Sequence, residues 1–259
     1  MYKSLEFSIR DRVARVRFTT PDTLNSISED RISDLQAVVR AVREDATVRA
    51  LTITGSGRGF CVGLDFDLLK KAFADILYFE SVVRRLNAVL LDIEELPVPV
   101  IAAVNGYARA GGFELALACD FILIADEAKI GDNHAQVGVL PGGGATQRLP
   151  QRIGLQKAKA LVFMANWLTG QEAVDYGLAL RSVPLALLDS ATEEMLAVLV
   201  HRPRSLSATL KRTMNASRTL DRRTGIEFEI SNFVSFMGNE PIAREGYMAS
   251  LEKRDPNWY

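Results

Sequence analysis

The sequence predicts an α/β core followed by a helical C-terminal lobe, on three observations. Strand-like apolar runs alternate with helical patterns at least three times in the first half of the chain. The connections between those runs are long enough for parallel crossovers, and two of the runs end in glycine-rich loops that open onto a helix. Beyond residue 150 the strand signal fades and helical patterns dominate to the end. The expected division is a core over residues 1–195, which carries the site, and a helical lobe over 196–259, with no low-complexity linker between them.

Taken in order, Leu5–Arg10, a tight Asp11-Arg12 corner and residues 13–19 read as a hairpin. In its second strand Val13, Arg15 and Arg17 share one parity and Ala14, Val16 and Phe18 the other, the alternation of an edge or near-edge strand. Ser28 is suited to cap a helix, with Glu29 and Asp30 at the positive end of its dipole. Ile32, Leu35, Val38, Val39 and Val42 then recur at helical spacing. Ala50–Thr54 is a short apolar run that ends at Gly55-Ser56-Gly57-Arg58-Gly59. A long helical stretch is expected over residues 66–96, stopped by Pro97 and Pro99. Val100–Val104 is again strand-like and ends in a loop over 105–112, where a helix begins and runs through Glu114 to about Ala118. Phe121–Ala125 is the third apolar run.

Composition narrows the function classes. The 259 residues are 48% hydrophobic and 24% charged, with 31 lysines and arginines against 32 acids and a net charge of -1. A chain of this size buries roughly 70–75% of its unfolded surface and needs neither disulfide nor structural metal. The charge balance offers no global field for a polyanion, so nucleic acid is not an expected partner. Cys61 and Cys119 lie far apart without metal-type neighbours, which points to a reducing, cytoplasmic setting. The N-terminus lacks a signal-peptide stretch and no run approaches the ~20 apolar residues of a membrane helix, so no membrane association is expected.

The chemistry centres on the two glycine loops. Gly63-Leu64-Asp65 closes one and Gly111-Gly112 the other. Glycine lets the backbone approach a ligand closely, and a helix start leaves N–H groups without internal partners. Two such groups aimed at one point form an oxyanion hole, although either loop alone reads more readily as a tight turn. Other phosphate and cofactor motifs fail. A dinucleotide fingerprint beginning at Gly55 needs glycine where Phe60 stands, and Gly142-Gly143-Gly144-Ala145-Thr146 lacks the lysine of a phosphate-binding loop. No cluster has metal-ligand spacing and no GxSxG elbow occurs.

The loops do not stand alone. Gly57-Arg58-Gly59-Phe60-Cys61-Val62-Gly63-Leu64-Asp65, then Val104-Asn105-Gly106-Tyr107-Ala108 through Gly111-Gly112-Phe113-Glu114-Leu115, then Leu140-Pro141-Gly142-Gly143-Gly144-Ala145-Thr146-Gln147-Arg148-Leu149 resemble three successive signatures of the enoyl-CoA hydratase/isomerase (crotonase) superfamily. The likeness continues through Thr169-Gly170-Gln171-Glu172-Ala173 and Gly177-Leu178 to Glu245-Gly246 and Leu251-Glu252-Lys253-Arg254, so it covers nearly the whole chain in order. It implies a spiral of ββα turns, assembled as a homotrimer or dimer of trimers through the C-terminal lobe. It implies an acyl-CoA thioester as substrate and no cofactor besides. The thioester carbonyl would sit between the N–H groups of Leu64 and Gly111. The CoA arm would run past the loop around residues 58–64, involving Arg58, Gly59, Phe60, Val62, Gly63, Asp65 and Gly112. The 66–96 segment would line the acyl pocket.

Glu114 sits on an otherwise apolar helix start, where burial raises a carboxyl pKa toward a range useful for proton transfer. A mere helix-capping role is the alternative. In hydratases that the chain resembles, the matching position is one of two catalytic glutamates. The second would fall at His134, and this is the departure from the family pattern. An imidazole can still move a proton near neutral pH. Hydration of a trans-2-enoyl-CoA by Glu114 and His134 is the first expectation. Isomerisation, thioester hydrolysis, decarboxylation, retro-aldol cleavage and a non-catalytic CoA-binding paralogue are the alternatives. Asp132 is near enough in sequence to orient the imidazole. His201 is expected to be structural or exposed. Most of the basic residues Arg202, Arg204, Lys211, Arg212, Arg218, Arg222 and Arg223 are expected on solvated helix faces.

Overall fold

The computed structural model describes residues 2–258. The N-terminal hairpin pairs β1 (Leu5–Arg10) with β2 (Val13–Phe18). Asp11 and Arg12 at its corner both have positive φ, as a two-residue hairpin loop requires. Helix α1 (Glu29–Glu44) follows, and the Ser28 hydroxyl accepts from the Arg31 N–H as expected of its cap.

Three turns of ββα then build the core. The first is β3 (Ala50–Thr54), β4 (Gly59–Cys61) and the helix pair α2 (Phe66–Ala74) and α3 (Ile76–Glu94). The second is β5 (Val100–Val104), β6 (Tyr107–Arg109) and α4 (Gly111–Ala118). The third is β7 (Phe121–Ala125), β8 (Lys129–Gly131) and, after a loop, α5 (Ala145–Ile153). Each turn contributes its long strand to one sheet and its short strand to another. The larger sheet runs β1-β2-β3-β5-β7-β10, with β10 at Arg181–Val183, and is parallel from β2 onward. The smaller runs β4-β6-β8-β9, with β9 at Leu168–Thr169. The expected spiral of ββα turns is therefore present. All of β5 is buried, which explains why Val100–Val104 is a continuous apolar run rather than an alternating one.

One expectation needs correction. The 66–96 segment is two helices, because Asp75 stands extended between them. Its carboxylate accepts from the N–H groups of Leu77 and Tyr78, so it ends α2 and caps α3. A short acidic side chain that bonds its own neighbouring backbone competes with helix continuation. The short strands β4, β6, β8, β9 and β10 were invisible as strands in the sequence. At two or three residues each, they have no periodicity of their own.

The chain closes with α6 (Leu155–Phe163), α7 (Gly170–Asp175), α8 (Leu188–Leu199), α9 (Arg204–Ala216), α10 (Arg222–Asn239) and α11 (Pro241–Glu252). The basic cluster is not uniformly a solvated face. Arg202, Arg222 and Arg223 are exposed, as is His201, but Arg204 donates to the carbonyls of Val42, Arg43, Asp45 and Val48 at the end of α1. Arg212 bonds Asn232 and Arg218 bonds Glu94. The Lys211 side chain is only 9% exposed and donates to Asp120 Oδ2 at 2.7 Å and to the carbonyls of Ile93 and Val98. Cations here tie helix α9 to the core by donating to carbonyls at and just beyond the ends of α1 and α3.

Burial pushes the Asp120 carboxyl pKa up, and the pair with Lys211 offsets only part of that. Removing the cation therefore leaves a poorly solvated acid. Lys211→Met is expected to cost about 3 kcal/mol of folding stability, read as a lower urea midpoint. Adding Asp120→Asn should recover a large share of the loss. An unchanged midpoint for Lys211→Met would show that the pair contributes nothing net.

Candidate active site

The two glycine loops meet. After β4, Gly63 turns the chain with φ of 88°, and Leu64 forms a parallel bridge with Ile27. Ile27 N–H donates to the Gly63 carbonyl at 2.7 Å and Asp65 N–H donates to the Ile27 carbonyl at 3.1 Å. Since successive N–H groups of an extended chain face opposite ways, the Leu64 N–H points away from Ile27. Gly111 opens α4, so its N–H lies outside the intrahelical ladder. Neither N–H is matched by a protein acceptor among the described residues. A Cβ placed on Gly63 would lie 3.0 Å from the Gly111 nitrogen, so the two segments are in direct contact.

The approach is held by strain and by the lack of side chains. Ala110, the residue before Gly111, has φ 47° and ψ -123°. An alanine in this region costs about 1–3 kcal/mol and persists only where its surroundings enforce it. Here its N–H donates to the Asp132 carbonyl at 3.0 Å and its carbonyl accepts from Glu114 N–H at 2.9 Å. A Cβ on Gly112 would overlap the Cys61 carbonyl oxygen, so only glycine allows the first turn of α4 to rest on β4.

Glu114 lies in that first turn and is 2% exposed. Its Oε1 accepts from Gly143 N–H at 2.7 Å and Ala145 N–H at 3.1 Å, the entry to α5. These donors sit at a helix N-terminus, where the dipole favours an anion. Oε2 has no protein hydrogen bond among the described residues. Burial is the largest influence on this carboxyl and raises its pKa above the usual range, while the two N–H donors and the His134 charge pull partly against it. The donor turn is itself clamped. Arg148 donates to the Gly143 carbonyl at 2.6 Å and pairs through Nε and Nη2 with both oxygens of Glu94, the last residue of α3. A Cβ on Gly143 would overlap the Glu114 carboxylate. The sequence contained this glycine run as a family signature. It held no signal that Gly143, Ala145 and Arg148 support Glu114.

His134 stands just beyond β8, with a side chain 14% exposed. Asp132 Oδ1 lies 3.1 Å from both the backbone nitrogen and Nδ1 of His134. A carboxylate acceptor assigns the Nδ1 proton, which leaves Nε2 as the free ring atom. Burial pushes the imidazole pKa down, but the hydrogen bond and charge of Asp132, together with the charge of Glu114, outweigh it and leave the pKa above its ordinary value. Each of the two candidate acid–base groups thus feels the charge of the other.

The remaining residues expected along the CoA arm divide by environment. Arg58 is exposed, and its carbonyl accepts from Tyr107 N–H at 3.1 Å. Val62 is half-buried, while Gly59, Gly63 and Gly112 are buried backbone positions. Phe60 is 0% exposed and packs near Phe18, with ring centroids 6.1 Å apart, so its side chain belongs to the core and only its backbone is available to a ligand. The Asp65 carboxylate caps α2 by accepting from Leu68 N–H at 2.7 Å, which is a helix-capping task. Among the described residues no group of acidic, histidine or cysteine side chains is arranged to hold a metal ion. Both cysteines are buried as free thiols. No helix of the described residues is long and apolar enough to cross a membrane.

Comparison with known proteins agrees with this fold. The pattern of the Enoyl-CoA hydratase/isomerase family matches residues 8–259. A Dictyostelium discoideum protein named as a probable mitochondrial enoyl-CoA hydratase is 35% identical, with 96% of this chain and 88% of the relative aligned. The human mitochondrial methylglutaconyl-CoA hydratase is 35% identical over 90% of this chain and 70% of its own length. The crystal structure of an enoyl-CoA hydratase from Bacillus anthracis superposes with a TM-score of 0.93 at 30% identity, covering 99% of both chains. Sequence pattern, relatives and fold agree across almost the full length, and the chain belongs to the enoyl-CoA hydratase/isomerase family of the crotonase superfamily.

Proposed function

We propose that this chain hydrates a trans-2-enoyl-CoA to the 3-hydroxyacyl-CoA, with Glu114 as base and His134 as acid. The observation that carries the reading is the division of labour within one carboxylate: Glu114 Oε1 is tied by two backbone N–H groups, Oε2 is left unbonded, and the carboxylate feels the charge of His134. Glu114 Oε2 takes a proton from water as its oxygen attacks Cβ. The electron pair of the Cα=Cβ bond moves toward the thioester, whose oxygen becomes an enolate. The N–H groups of Leu64 and Gly111 hold that oxygen, each contributing about 3 kcal/mol to a transition state that develops the charge. His134 Nε2–H then protonates Cα. The proton held by Glu114 returns to His134 before the next cycle, so the net reaction adds one water.

Glu114 is suited to the base role because its orientation is fixed before substrate binds, and His134 to the acid role because the hydrogen bond and charge of Asp132 favour its protonated form. The CoA arm passes along the backbone of residues 58–64, where Arg58 is an exposed cation. The chain works in a reducing cytoplasmic setting, a reading supported by two unpaired, buried thiols. It assembles as a homotrimer or dimer of trimers. Large apolar side chains left in solvent on α10, among them Ile226, Phe233, Val234 and Met237, support a subunit contact there.

Loss of the enoyl-thioester ultraviolet absorbance of crotonyl-CoA tests the activity directly. Rapid loss with appearance of 3-hydroxybutyryl-CoA is the expected result. Tight binding of the thioester without any loss would sink the hydratase reading and redirect the search to isomerised, hydrolysed or decarboxylated products.

A further inference from the structure

Asp132 has no role in the proposed chemistry, yet two of its groups reach the site from one fixed backbone position. Its side chain is fully buried, an expensive place for a carboxylate without a cationic partner. Oδ1 accepts from the His134 ring and backbone, whereas Oδ2 is buried with no partner among the described residues. Among those residues the imidazole is thus the one ionisable donor in hydrogen-bond contact with this acid. The backbone carbonyl of the same residue accepts from Ala110 N–H, next to Gly111. That bond helps hold Ala110 in its strained conformation, immediately before the Gly111 N–H.

We propose that Asp132 is the positioning residue of this site: its carboxylate fixes the His134 ring with the proton on Nδ1, so that Nε2 carries the mobile proton, while its carbonyl fixes Gly111. The role assigned to Nε2 rests on the hydratase reading, whereas the tautomer itself does not. Among the described residues Asp132, just after β8, and Glu114, on α4, are the charged groups that act on the imidazole. With Asp132 neutral, Glu114 alone supports the imidazolium, so the pKa of His134 falls. The substitution Asp132→Asn removes the charge but keeps the main-chain carbonyl, and the bond to Ala110 with it.

The test needs one isotope-labelled protein and one variant. The chain has two histidines, and His201 is exposed, so His201→Asn leaves His134 as the sole imidazole signal. Long-range ¹H–¹⁵N correlation spectra of that protein above the imidazole pKa should show the Nδ1–H tautomer. An Nε2–H tautomer would overturn the proposal even if the enzyme proves to hydrate nothing. In Asp132→Asn, kcat for crotonyl-CoA should fall by about 10²-fold or more, and the alkaline limb of kcat/KM should move to lower pH. Affinity for butyryl-CoA should stay within about 3-fold, because the Gly111 support is retained. An unmoved alkaline limb with kcat within about 3-fold of the parent overturns the positioning role. Butyryl-CoA binding lost together with kcat overturns it as well, by making Asp132 a general structural support.

Discussion

Glu114→Gln is expected to lower kcat for crotonyl-CoA hydration by about 10²–10⁴-fold while leaving thioester affinity within a few-fold. Glutamine is close to isosteric, and its carbonyl oxygen can accept from Gly143 and Ala145 as Oε1 does. The turn that enters α5 should therefore stay in place, as should the Arg148–Glu94 clamp behind it. What is lost is a group able to take a proton from water. Stopped-flow absorbance at saturating substrate reads kcat, and calorimetric titration with butyryl-CoA reads affinity. A rate within a few-fold of the parent would remove Glu114 from the chemistry. A large loss of affinity would instead mark the carboxylate as a structural member of the pocket.

His134→Ala should lower kcat by a similar factor and, unlike Glu114→Gln, should abolish the alkaline limb of the pH–rate profile. The parent enzyme is expected to have a bell-shaped profile. Its acidic limb reports protonation of Glu114 and lies above the ordinary carboxylate range, because burial raises that pKa. Its alkaline limb reports deprotonation of His134 and lies above the ordinary imidazole value of about 6.5. The same shifts have signs for folding stability. The His134–Asp132 pair stabilises the folded state below the ordinary imidazole pKa, and that contribution is lost as pH rises through the higher folded value. Burial of Glu114 acts the other way, penalising the fold once pH exceeds the ordinary carboxylate pKa. A profile with no alkaline limb in the parent would show that an imidazolium is not the acid. Rescue of His134→Ala by added imidazole would support the proton-transfer role over a packing role.

Much of the fold was legible because its long elements carry local signals. Ala50–Thr54, Val100–Val104 and Phe121–Ala125 are apolar enough to be buried on both faces of a parallel sheet. Ser28 and the apolar spacing after it announce α1, and the Asp11-Arg12 corner announces the hairpin. Of the site, Leu64, Gly111, Glu114 and His134 could be singled out because they lie on glycine loops or on signatures shared with a family. Two members of the basic cluster went the other way. Arg204 and Lys211 look like any cation on an amphipathic helix until the carbonyls they saturate, in distant segments, are brought beside them.

The sequence by itself determined the order of the long strands and helices, the positions of both glycine loops and the presence of a carboxylate and an imidazole at Glu114 and His134. These are properties of single residues and short windows, and local backbone chemistry is enough to express them. Only the tertiary structure decided that Gly59–Cys61, Tyr107–Arg109 and Lys129–Gly131 are strands, because two or three residues become a strand only when a neighbour supplies the hydrogen-bond ladder. It likewise decided that Gly143 and Ala145 hold one oxygen of Glu114 and that Asp132 serves both His134 and Ala110. Such bonds join groups that are remote along the chain or that depend on a single strained turn. Their partners are chosen by how the sheets and helices pack, and no local pattern records that choice.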